Sequence, residues 1–193
     1  MKGLWLLQEC RRTWAAQGQQ WDDEALVRLA EAAPPLRSLI DPDDPRFLPP
    51  GDVPTRIREF CQETGQPIPE VPAEIVRCIL ESFTLKYRWV IERLEALLAR
   101  PIPCIPVVGG GSRHALLCQW TADAAGRPVL AGPTEATALG NPIVQAMAPG
   151  HLSDLPEARE VIRRSSAPLL YEPRASSARE EAYQRLVARI LPA

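Results

Sequence analysis

Residues 103–138 read P-C-I-P-V-V-G-G-G-S-R-H-A-L-L-C-Q-W-T-A-D-A-A-G-R-P-V-L-A-G-P-T-E-A-T-A. The apolar run 104–108 predicts a short buried strand, Gly109, Gly110 and Gly111 a bare turn, 112–125 a helix closed by Gly126, and 128–131 a second strand. Two strands joined through a helix in one sheet run parallel with a right-handed crossover. The glycine turn therefore sits at the carboxyl edge, where open α/β sheets take ligands. Three successive residues without Cβ let a ligand lie against backbone, while the next helix aims amide donors and its positive dipole end at the same place. A second small-residue turn, Ala131-Gly132-Pro133, reinforces the reading of a nucleotide or phosphate site.

Upstream of this unit the chain reads as helices. Leu4, Leu7 and Trp14 fall at helical spacing over 4–17, and Asp22 is a cap for a helix to residue 33, stopped by Pro34-Pro35. Residues 39–54 carry prolines at close intervals and predict an irregular connector, in which the acidic cluster Asp41, Asp43, Asp44 reads as turn chemistry rather than a cation loop. Asp52 is a cap for 55–64 with Gly65 as its left-handed stop. Pro72 opens the longest helix, 73–99, whose Ile75, Ile79, Phe83, Tyr87, Val90, Leu94 and Leu97/Leu98 form one apolar stripe. Downstream, 134–148 is helical but contains Pro142, which should break or kink it. Ser153 and the box Ser177-x-x-Glu180 start two last helices, the second filling 174–193.

Composition narrows the classes. The 193 residues are 46% hydrophobic and 24% charged, enough for one real core, and 1–193 reads as a single partial domain. A net charge of -2, with arginines mixed among acids, gives no nucleic-acid footprint. No run approaches a membrane span, and the amino-terminal apolar stretch is interrupted too soon for a secretory signal, so a cytoplasmic protein is expected. Five cysteines form no C-x-x-C pair and read as free thiols. The five tryptophans sit at helical spacing and read as packing residues, and His151 as a solvent-exposed histidine.

The glycine turn is neither of two familiar phosphate motifs. No G-K-[ST] follows it, which excludes a P-loop. A dinucleotide fingerprint would need glycine at 114, where His114 stands, and an acid after the second strand, where Ala131 runs into Gly132. His114 lies near the helix start, where a neutral ring beside a base and a plain surface histidine both suit the pattern. Catalysis of phosphoryl transfer needs a base, metal-holding carboxylates and positioned charge, and no such constellation is legible. Two parallel strands among so many helices make a poor sheet, and the exposed edge predicts self-association or pairing with a separate remainder.

Several longer motifs carry a resemblance: G-L-W-L-L-Q-E at 3–9, D-D-P-R-F at 43–47, E-T-G-Q-P-I-P-E at 63–70, V-V-G-G-G-S-R-H at 107–114 and A-G-P-T-E-A-T-A-L-G-N at 131–141. Together they resemble the carboxyl-terminal part of the rhamnulokinase branch of the FGGY carbohydrate kinases. The resemblance implies a helix-rich α/β fold, an incomplete ribonuclease H-like, actin-like ATPase domain with a short parallel sheet covered by helices. It implies ATP and Mg²⁺ as cofactors, the metal held mainly from outside this chain, and phosphorylation of L-rhamnulose at its 1-hydroxyl. It further implies that Gly110 contacts ATP between Gly109 and Gly111, that Gln8 lies on the nucleotide side, and that His114 stands where the family has Asn beside adenine. Pro142 is a departure from the family pattern. The family's amino-terminal domain, with its D-x-G-T turn and catalytic Asp, precedes the matched part, so the chain alone is expected to lack turnover. The rival expectation is a non-catalytic helical module derived from such a kinase.

Overall fold

A computed structural model describes residues 4–191; Gly3 of the first motif and the last two residues of the C-terminal segment lie outside them. In chain order the elements are α1 Trp5–Ala16, α2 Asp23–Ala32, a 3-10 turn Pro45–Phe47, α3 Val53–Glu63, α4 Pro72–Leu98, β1 Ile105–Val107, a 3-10 turn Gly109–Arg113, α5 Ala115–Ala125, β2 Val129–Ala131, α6 Ala136–Met147, α7 Leu155–Ser165, β3 Leu169–Tyr171 and α8 Ser177–Arg189. They gather into two compact units, one running to Arg100 and resuming at Ala175, the other Pro101–Arg174.

The first unit is all helical. Its helices start where side chains can satisfy orphan amides: Asp22 accepts from the Ala25 amide at 2.6 Å and Asp52 from that of Thr55 at 3.1 Å. Its core holds Leu6, Leu26, Ile57, Ile75, Ile79 and Phe83, all fully buried. Within α4 the stretch from Ile75 to Lys86 is buried on nearly every side, charges included. The charges are matched by their burial partners: Lys86 Nζ donates to Asp41 Oδ1 at 2.9 Å, and Arg77 donates to Glu81 and to the carbonyls of Ala30 and Ala33 that end α2. The expected apolar stripe does not continue to the helix end, because Leu94, Leu97 and Leu98 stand exposed. The connector 39–54 is irregular as its prolines require, yet Leu39, Ile40 and Phe47 anchor it in the core, and Asp44 caps its 3-10 turn.

The second unit carries the sheet, in the order β1-β2-β3. β1 and β2 are parallel with Val107 opposite Ala131, as the crossover through α5 demands. A third strand, β3, lies antiparallel to β2 and adds to the two strands legible in the sequence. Val129 and Ala131 pack on Cys118 and Ala122 of α5, with Ile105, Val107 and Tyr171 around them. The opposite face, through Pro106, Leu130 and Leu170, is exposed.

Four boundaries correct the sequence reading. The glycine turn is itself a 3-10 turn, so α5 starts at Ala115 rather than at residue 112. α6 runs through Pro142 without a break; Ala138, whose carbonyl loses its amide partner to the ring, is exposed and water can satisfy it. Asp154, not Ser153, caps α7, accepting from the Glu157 amide at 2.9 Å. Ser176, one residue before the expected box, caps α8, which frees Glu180 to pair with Arg88. Among the described residues no helix is long and apolar enough to cross a membrane.

Candidate functional site

The site is built from two turns at the carboxyl edge of the parallel strands. Gly109 adopts φ +76°, a left-handed conformation that a side chain strains, and this bends the chain sharply out of β1. The turn is then stitched to its neighbour by backbone bonds, Gly109 N to Pro133 O at 3.0 Å and Gly132 N to Val107 O at 2.8 Å. A Cβ at Gly132 would lie 3.1 Å from Val108 Cγ1, so glycine lets the two turns approach without displacing that side chain. Ser112 is buried and its hydroxyl donates to Gly109 O at 2.7 Å, closing the 3-10 turn from within.

Against that rigid base Gly110 stands open. A Cβ built on it meets nothing within 4 Å, so its bareness is not required by packing inside the protein. His114 follows as the residue preceding α5 and offers no side-chain cap, leaving the first-turn amides of the helix to water or a ligand. Backbone donors beside a helix amino terminus are suited to an oxyanion. Gly109, Gly110, Gly111 and His114 are thus brought together, with His114 half-buried just ahead of the helix rather than in its first turn.

Gln8 belongs to the other unit. It is exposed on α1, on the side that also carries Arg11, Arg12 and Ala15, and the connector residues Gln20, Trp21 and Asp22 close a cleft of about 860 Å³ over that side. Neither Arg11, Arg12 nor Trp21 was legible as a cleft residue, because the cleft exists only once the α1–α2 connector folds back. A second feature beyond the sequence reading is the ion pair of Arg113 with Glu135, at 3.2 Å, which spans the two turns. Adjacency of Arg113 to the glycines was the one available signal.

The remaining chemistry-bearing residues have structural roles. Asp41 and Asp44 accept backbone amides in turns, and Asp41 also holds Lys86. All five cysteines are free, and burial pushes the thiols of Cys10 and Cys118 up from their ordinary range. Trp14 and Trp120 are buried, Trp89 lies under the cations of Lys86 and Arg93, and His151 is exposed. Among the described residues no group of three or more His, Cys, Asp or Glu is placed to hold a metal ion.

The model of the C-terminal domain of the FGGY family of carbohydrate kinases matches residues 1–149. The chain is 48% identical over 181 residues to a rhamnulokinase of Bacteroides thetaiotaomicron, covering 94% of this chain and 36% of that protein. It is 44% identical over 172 residues to a rhamnulokinase of Enterococcus faecalis, covering 88% of the chain and 34% of the relative. It therefore spans about a third of the length of these curated relatives. Among solved structures, the glycerol kinase of Plasmodium falciparum with ADP aligns with a TM-score of 0.63 at 14% identity, over 95% of this chain and 37% of that one. A xylulose kinase from Rhodospirillum rubrum aligns with a TM-score of 0.58 at 22% identity, over 96% and 34%. These two likenesses establish the fold.

Proposed function

The chain belongs to the FGGY family of carbohydrate kinases, and from that premise we propose that it forms the ATP-binding portion of an enzyme that phosphorylates L-rhamnulose. The observation that carries the reading is the open backbone at Gly110, held at the sheet edge beside an uncapped helix start. In this reading the amides of the glycine turn and of α5 take the phosphate tail and His114 lies beside the adenine. Mg²⁺ would be held mainly from outside this chain and would neutralise charge on the phosphates of the nucleotide, whose oxygens suit its preference.

The sugar and the base that takes its hydroxyl proton are assigned to parts of the relatives beyond the matched third. The 193-residue chain by itself is accordingly expected to bind ATP without turning over. Calorimetry with ATP and an L-rhamnulose-dependent ADP assay test the two halves of this reading. Binding with no turnover supports it, and a kcat within the usual kinase range of roughly 1 to 100 s⁻¹ contradicts it. We place the protein in the cytoplasm, with no nucleic-acid or membrane partner. Self-association is proposed through β3: Ile105 N and Val107 O both serve the β2 side, which turns the donorless nitrogen of Pro106 to the open side of β1, whereas β3 presents exposed Leu169 and Leu170.

A further inference from the structure

Resting on the nucleotide reading of the glycine turn, we infer that Arg113 is a ligand for the anionic tail of the nucleotide, held in reserve by Glu135. Arg113 ends the 3-10 turn that begins at Gly109, and Glu135 immediately precedes α6. Their side chains meet at 3.2 Å across 22 residues of sequence. The two backbone bonds between the turns, from Gly109 N and Gly132 N, fix the distance that the pair must bridge. The pair is thus a clasp between two fixed turns, beside the residue whose backbone is open.

Its exposure decides what the clasp can do. The two side chains are 64% and 71% exposed, a setting in which an ion pair contributes little and breaks readily. A polyphosphate carries several charges and presents oxygens in the geometry that a guanidinium fork matches with two parallel hydrogen bonds. It therefore outcompetes one carboxylate. Glu135 has a second effect: it makes no side-chain cap for α6, so once Arg113 is removed its carboxylate stands unpaired near the arriving phosphates and repels them. The clasp makes affinity depend on phosphate number, whereas the bare turn alone would bind through backbone donors whose strength is set by the fold.

The test is calorimetry on the full chain with ATP, AMP and adenosine. Arg113→Gln should weaken ATP roughly tenfold or more, the scale of losing a charge-assisted hydrogen bond, and AMP less. Adenosine should be unchanged, Glu135→Gln should tighten ATP, and Arg113→Lys should lie between. Thermal melts should stay at the wild-type value for all three, because both residues are exposed. ATP affinity unaltered by Arg113→Gln, equal losses for ATP and adenosine, or weaker ATP binding in Glu135→Gln would each overturn the clasp. If Gly110→Ala abolishes ATP binding while Arg113→Gln does not, the clasp alone fails. If the wild-type chain binds none of the three, the nucleotide reading fails and takes the clasp with it.

Discussion

Glycines 109 and 110 are neighbours with different reasons to be glycine, and substitution separates them. At Gly109 the positive φ makes any side chain costly, about 1 to 2 kcal/mol for an alanine, although the nearest atom to its Cβ would be 3.9 Å away. At Gly110 there is neither a positive φ nor a neighbour, so Gly110→Ala should melt within a degree or two of the parent. The same change should weaken ATP binding at least several-fold, since the new methyl occupies the approach to bare backbone. A matched loss of stability in both variants, or intact ATP binding in Gly110→Ala, would show that the turn serves packing only. Sequence made the glycines legible because absence of a side chain is written in the residue type. It could not show Arg113 and Glu135 as a pair, because their meeting depends on two turns held by backbone bonds.

At the scale of elements, α4 and α8 are joined by a chain of polar contacts. Arg88 pairs with Glu180 at 2.5 Å and lies 3.8 Å over the Tyr183 ring, while the Tyr183 hydroxyl donates to Glu92. Burial and the Glu92 carboxylate both push the Tyr183 phenol upward from its ordinary value of 10. A folded-state value above the unfolded one means that this contribution is fully present below pH 10 and is lost as pH rises beyond it. The melting temperature should therefore fall above pH 10, and Tyr183→Phe should cost about 1 kcal/mol at neutral pH while flattening that alkaline decline. An identical alkaline slope in the variant would remove Tyr183 from this role. Among the elements, α1 to α4 were legible from caps, stops and period because each signal is local. The short strand β3 was not: three residues give too little alternation to read, and its pairing with β2 joins residues far apart in the chain. The start of α5 was misplaced because a 3-10 turn and the first turn of an α-helix share the same small-residue pattern.

For the whole molecule, the chain spans about a third of its curated relatives, and its sheet holds one strand more than the two legible in the sequence. What the sequence left out was the division into two compact units, because the return of the chain from Arg174 to the helical unit is a matter of tertiary contacts. The exposed residues of β3 make a further expectation: light scattering should give a mass that rises with concentration, and Leu170→Lys should reduce it. A monomer at every concentration would oppose pairing through that strand. The central claim, that the glycine turn is where a nucleotide lies, is tested most directly by amide NMR of the labelled chain titrated with ATP. Saturable shifts concentrated at Gly109, Gly110, Gly111 and the first turn of α5 are the expected result. Saturation with those amides unmoved, or no change anywhere at millimolar ATP, would contradict it.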